Sequence, residues 1–268
     1  MSAKVDFCGL EITRLVIGGN PFGGYSHQTP ERDKAMRQFH TVEQIIETWR
    51  QAVEAGITAM VTNNETPHVL EALEQYFADG TEGKLQWIAQ VNHNRNPDMM
   101  SAIDEAVKTG CKALFIHGGV VDKLYQQEDG DTLQKWVRHA QSHGVPVGTA
   151  GHAPVVHDWV NDLDIVDFHA VCFFDCGSVH NRAGERFRLE DITAAVQCIQ
   201  RLEKPCIAYK IMGAGRIDAK MAFQYAFENI KAGDVVNVGM HRGDKETIIQ
   251  ENADLVDDVL SQLSRQSA

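Results

Sequence analysis

Short β-branched runs alternate with longer amphipathic runs along the whole chain, and this alternation limits the fold more than any other feature. The runs Arg14–Ile17, Ile57–Thr62, Leu85–Val91, Ala113–Ile116, Val145–Thr149, Ile165–Val171, Cys206–Ile211 and Val235–Val238 read as strands. Between and after them, Val42–Ala55, Pro67–Ala78, Pro97–Thr109, Asp131–Ser142, Val155–Val160, Glu190–Leu202, Ala219–Asn229 and Lys245–Leu263 read as helices. Glycine stands between helix and next strand at Gly56, Gly110, Gly144 and Gly233, where a left-handed residue closes a helix. Strands that alternate with helices pair in parallel. Eight such pairs in 268 residues predict closure into a (β/α)8 barrel, read as a single domain over residues 1–268. An open doubly wound sheet is the alternative. It would place a glycine-rich dinucleotide turn after the first strand and a helix directly behind it. The sequence there, GGNPFGG, contains Pro21 and leads into a long loop, Gly18–His40. A second long loop, Cys172–Arg188, follows the sixth strand.

Composition narrows the partners. The chain is 43% hydrophobic and 23% charged, enough for a substantial core. A net charge of −12 argues against nucleic acid or an anionic membrane as partner and leaves a small-molecule substrate. Self-association into a homo-oligomer is left open. The start MSAKVDFCGLEITRL has no long apolar stretch, and no run is long enough to span a bilayer. The six cysteines are scattered without metal-cluster spacing, which suits reduced thiols in a cytoplasmic protein.

A barrel carries its chemistry at the C-terminal ends of its strands. Read in order, those ends deliver Asn20, then Asn63 and Glu65, then Asn92 and His93, then His117, His152, His169 and Asp175, Lys210, and finally His241 and Arg242. Polar groups gathered in a buried mouth cost free energy unless something pairs with them, so such a ring implies a ligand. His117, His152 and His169 come from consecutive strands, and Glu65 or His93 could complete a set from the opposite wall. Imidazoles with one carboxylate suit zinc, manganese, iron or nickel. The competing reading has the same histidines binding substrate hydroxyls. Asn20, Asn63, Asn92, His93, Asp175 and His241 are read as substrate-binding, and Glu65, His117 and Lys210 as catalytic. A strand-end lysine such as Lys210 serves either as a desolvated amine or as an anion binder. Gly213, Gly215 and Arg216 after the seventh strand, with Gly239, Arg242 and Lys245 after the eighth, form a phosphate or cofactor site, since glycines and a helix N-terminus favour anions there. Ordinary helix starts with surface basic residues explain the same pattern.

Several segments resemble the aldo-keto reductases over most of the chain. RLVIGGNPFGG is similar to that family's opening strand, and KVDFCGLEIT to its barrel-bottom hairpin. ALFIHGG resembles the strand with the family's active-site histidine, which makes His117 the counterpart. VVNVGMHRGDKETIIQEN, with Glu251 and Asn252, resembles the segment that holds the phosphate and adenine of a nicotinamide cofactor, so the resemblance implies NADP. The family's catalytic Asp, Tyr and Lys have no counterpart in TNNETPHVL or AQVNHN. Hydride reduction needs a proton donor to the forming alkoxide, which that tyrosine supplies.

Two classes of enzyme follow. One is a metal-assisted lyase, isomerase or hydrolase acting on a sugar-like, polyhydroxylated small molecule. The other is a divergent aldo-keto reductase-like NAD(P)-dependent oxidoreductase. A non-catalytic binding barrel is the third reading, weakened by the density of ionisable strand ends.

Overall fold

The computed structural model describes residues 4–96, 98–176 and 187–266. The eight barrel strands are β3 (Leu15–Gly18), β4 (Ala59–Asn63), β5 (Gln86–Val91), β6 (Ala113–Ile116), β7 (Val147–Gly151), β8 (Phe168–Cys172), β9 (Cys206–Tyr209) and β10 (Val235–Gly239). All pair in parallel, and β10 pairs with β3, Gly239 opposite Gly18, to close the cylinder. The open-sheet alternative is thereby excluded. Before the barrel, β1 (Lys4–Phe7) and β2 (Leu10–Thr13) form an antiparallel hairpin. Its two turn residues, Cys8 and Gly9, both have positive φ, the geometry a tight hairpin needs.

Alternation along each strand divides the core in two. Val16, Ala59, Val61, Ile88, Phe115, Phe168, Ala170 and Ile207 pack inside the cylinder. Phe7 of the hairpin joins them, its ring 5.2 Å from that of Phe168, so the hairpin plugs the N-terminal end. The other parity, including Ile17, Met60, Trp87, Leu114, Ile116 and Val171, packs outward against the helices. Side chains of successive strand residues point to opposite faces, so a one-residue step decides whether a group reaches the mouth.

The helices are α1 (Asn20–Gly23), α2 (Pro30–Phe39), α3 (Val42–Glu54), α4 (Pro67–Phe77), α5 (Met99–Thr109), α6 (Gly118–Gln126), α7 (Gly130–Gln141), α8 (Pro154–Leu163), α9 (Glu190–Arg201), α10 (Ala219–Asn229) and α11 (Ile248–Gln266). Gly110 ends α5 with φ +109°, the left-handed stop expected there, whereas Gly233 has no positive φ because α10 already stops at Asn229. The first long loop is not irregular, as it holds α1 and α2. Thr29 caps α2 by accepting from the Arg32 N–H, and Pro30 starts it. Helix α6 has no counterpart in the sequence reading, because two glycines open it. Much of the second long loop lies outside the described residues. Among the described residues, no helix is long and apolar enough to cross a membrane.

Candidate active site

The C-terminal ends of the strands enclose a cavity of about 320 Å³, a size suited to a small molecule. Its floor is apolar, formed by Val61, Phe115, Ala150, Ala170 and Ile207. Of the expected site residues, Asn20, Asn63, Glu65, His117, His152, Lys210, Gly215, Gly239 and His241 line it. The others do not.

Two histidines stand over α6, and the fold gives them opposite tautomers. His117 is the N-cap of α6, and its Nδ1 accepts the Gly119 N–H at 3.1 Å. A neutral ring that accepts at Nδ1 carries its proton on Nε2, so His117 presents an N–H donor. His152 follows β7, and its Nδ1–H donates to Asp122 Oδ2 at 2.6 Å. The other Asp122 oxygen accepts the His152 backbone N–H at 3.2 Å. That carboxylate fixes the ring and leaves the Nε2 lone pair available as a base. His152 also lies against α6, since a Cβ on Gly118 would come within 3.0 Å of its Cε1. One helix start therefore holds both rings. Asp122 was not recognisable as a site residue, because it sits a turn inside a helix that the sequence reading lacked.

The inward parity supplies further groups that sequence reasoning passed over. Tyr209 faces in from β9, and its hydroxyl donates to the Gly151 carbonyl at 3.2 Å. Burial pushes its phenol well above the ordinary value, so it stays neutral. Asn237 and Gln90 also line the cavity. Asn237 Oδ1 is buried without a hydrogen-bond partner, an acceptor aimed where a ligand hydroxyl would lie. Gly18 is required beside it, as a Cβ there would approach Asn237 Oδ1 to 2.7 Å. Lys210 lines the mouth in a left-handed conformation, φ +56°, with its Nζ 5.7 Å from the Tyr209 ring centre. Glu65 accepts from Asn94 Nδ2 at 2.9 Å. Asn63 Oδ1 accepts the Glu65 and Thr66 N–H groups at 3.0 and 2.9 Å and so shapes that turn. Asn20 Nδ2 contacts His27 at 3.4 Å. His241 Nδ1 pairs with buried His40 Nε2 at 2.9 Å, and burial lowers both imidazoles, His40 to about 3.

The expected metal set does not assemble. His169 has the outward parity of β8 and is 0% exposed. Its Nδ1 lies 3.3 Å from that of His157 on α8, whose Nε2 donates to the Gly151 carbonyl at 3.4 Å. Burial pushes both imidazoles down, and His169 Nε2 has no partner. His117 offers a proton rather than a lone pair. Among the described residues, no group of three carboxylate, imidazole or thiol ligands converges in the mouth. The chemistry of these donors does not fit a resident catalytic metal.

Three of the expected substrate binders also lie elsewhere. Asn92 is buried behind the mouth, where its backbone N–H and carbonyl pair with the Asn64 side chain at 3.0 and 3.1 Å. His93 stands beside Trp136, with ring centres 5.9 Å apart. The Asp175 N–H donates to Asp191 at 3.2 Å, which ties that segment to α9.

The anion site is likewise built differently from expectation. Arg242 is 6% exposed and binds Glu246, with Gln44 and Thr48 at 3.2 and 3.4 Å. Lys245 pairs with Glu251 at 2.6 Å. Arg216 donates to the Gly213 and His27 carbonyls at 2.9 and 3.2 Å, bracing two loops. The close approaches at Gly213 and Gly239 are to Phe187 and Pro21, not to open space. These cations, each already engaged by a carboxylate or by carbonyls, do not fit the phosphate of a nicotinamide cofactor.

No family model and no curated protein matches the chain. Solved structures share its fold. A candidate aldo-keto reductase from Pseudomonas aeruginosa superposes with a TM-score of 0.66 at 14% identity, covering 96% of this chain and 94% of that one. A truncated 3-deoxy-D-arabino-heptulosonate 7-phosphate synthase from Thermotoga maritima gives 0.58 at 8% identity, over 99% and 92% of the two chains. An N-acetylmannosamine-6-phosphate 2-epimerase from Clostridium perfringens gives 0.54 at 12%, over 88% and 92%. The fold is that of these barrels.

Proposed function

We propose that the chain is an enzyme that moves protons on a polyhydroxylated carbonyl compound, as an isomerase or lyase. The carrying observation is the pair of opposite tautomers at the start of α6. His152, oriented by Asp122, removes a proton from the carbon beside the substrate carbonyl. His117 donates its Nε2–H to the carbonyl oxygen, which gains negative charge as the enediolate forms. The proton on His152 then goes to the former carbonyl carbon while the adjacent hydroxyl passes its proton to the first oxygen, which isomerises the substrate, or it goes to a leaving β-hydroxyl, which departs as water and leaves an unsaturated carbonyl. Asn237, Asn63 and Gln90 suit the recognition of hydroxyls above the apolar floor. The single-domain reading over residues 1–268 and a cytoplasmic location belong to the same proposal, as does a small-molecule partner.

A divergent aldo-keto reductase-like oxidoreductase is the second reading, favoured by the fold likeness and by the place of His117. Against it, the Tyr209 hydroxyl already donates to the Gly151 carbonyl, and the β10–α11 cations are already paired.

The test is solvent exchange. Aldoses, ketoses and their sugar acids are incubated with the purified chain in D2O and followed by NMR. Deuterium is expected at the carbon next to the carbonyl, with His152→Ala abolishing it. If no compound exchanges while NADPH is consumed with one of them, the second reading replaces the first.

A further inference from the structure

Outside the mouth, one cluster of ligating side chains belongs to no site described so far. Asp104 lies in the middle of α5. His139 lies in the last turn of α7, and His143 in the turn that follows. Asp104 Oδ1 is 2.7 Å from His139 Nε2 and 2.8 Å from His143 Nε2. The two rings stand 5.2 Å apart and nearly perpendicular, at 88°. Both nitrogens therefore aim at one point from different directions. The three ligand atoms all lie within 4.8 Å of one another, the only such group among the described residues.

We infer that Asp104, His139 and His143 form a binding site for a divalent transition ion of the zinc type, distinct from the active site. Two imidazoles and one carboxylate are the donors such an ion prefers, at about 2.0–2.2 Å each. The ion takes the place of the two Nε2 protons, and each ring moves its proton to Nδ1. The His side chains are 25% and 31% exposed, so the site is open to solvent and water can fill a fourth position. Asp98 adds negative charge near His139.

The location gives the ion a structural role. His143 stands in the turn leading into β7, at the end of the barrel away from the mouth. An ion here clamps α5 to α7 and to that turn. Its absence from the mouth separates this inference from the proposed proton transfer, and either can fail alone.

The experiment is titration of the full, EDTA-treated chain with ZnCl2 by calorimetry. One saturable equivalent is expected. His139→Ala and His143→Ala should each weaken it at least ten-fold, while His152→Ala leaves it unchanged. Saturable binding that survives in the double variant, or no saturable binding at all, overturns the site. A measurement on the unaltered chain covers variants that fold poorly. Added Co2+ should show the intense visible bands of low coordination number, abolished by Zn2+. The spectrum of the free hydrated ion would overturn the inference.

Discussion

His152 and His169 belong to neighbouring strands, His152 just past the end of β7 and His169 near the start of β8, yet one opens to the cavity and the other is sealed behind the barrel wall. The difference is strand parity. His169 pairs in register with Thr149 of β7, and both point outward. His152 shares the inward parity of Gly148 and Ala150. Their partners differ accordingly. His152 meets a carboxylate, Asp122, which can stabilise an imidazolium as it forms. His169 meets another imidazole, His157, in a site where neither ring can hold a charge. One residue type thus serves as a poised base on one side of the wall and as packing with a hydrogen bond on the other.

The comparison is broken most directly by truncating each histidine. His152→Ala should lower turnover by roughly 10²–10⁴, the range of a positioned general base, with little effect on stability. His169→Ala should do the reverse, costing about 2–4 kcal/mol through a cavity and an orphaned His157 nitrogen while turnover survives. Solvent exchange and urea unfolding on both variants measure the two axes. If His169→Ala abolished exchange in a chain of normal stability, the assignment by parity would fall.

Acid sharpens the contrast. His157 and His169 are neutral in the folded chain, with values pushed below the ordinary 6.5 by burial. The unfolded chain therefore takes up protons first. This contribution to stability is full above about pH 6.5 and is lost as the pH falls toward the folded-state values, at up to ~1.4 kcal/mol per pH unit for each group. Urea midpoints at pH 7 and pH 5 should differ markedly in the wild type. A His157→Phe, His169→Leu variant should show a shallower decline, though not a flat one, because His40 is depressed in the same way. An unchanged slope would mean that the pair is not sealed.

Asp122→Asn probes the orienting carboxylate. The amide can still accept from Nδ1–H, but it cannot stabilise the imidazolium. Exchange should fall about 10–100-fold, the usual cost of losing an outer partner of a histidine. Rescue by Asp122→Glu would support a charge effect. Equal activity of the Asn variant would reduce Asp122 to a spacer.

The fold was legible because its signals repeat. Each strand is a short apolar run, and each helix has its own periodicity, so a boundary error of two residues, as at β7, leaves the topology intact. The mouth was legible only as a list of strand ends. Choosing among those ends requires the inward parity and the last residue of each strand, and an error of a single residue reverses the parity. That is why Lys210 was preferred to its neighbour Tyr209, and why His169 was assigned to the mouth. Asp122 was hidden for a different reason. It acts from a helix, through another side chain, and nothing in GGVVDKLY marks one aspartate as the partner of a histidine some thirty residues away. Asn237 could have been found, being the one polar side chain inside an apolar strand, VVNVG.

The smallest expected effect lies where β10 meets α11, a region that extends the comparison from histidines to cations. Lys245, like His169, looks functional in sequence and is engaged in the fold, here with exposed Glu251. Exposed pairs of this kind contribute about 0–1 kcal/mol, so Lys245→Ala should leave the unfolding midpoint nearly unchanged. It should leave the substrate KM unchanged as well, because the side chain is not among those lining the cavity. A rise in KM for a phosphorylated substrate, absent for its unphosphorylated form, would show that the lysine leaves Glu251 for the ligand. It would restore the anion site that these contacts argue against.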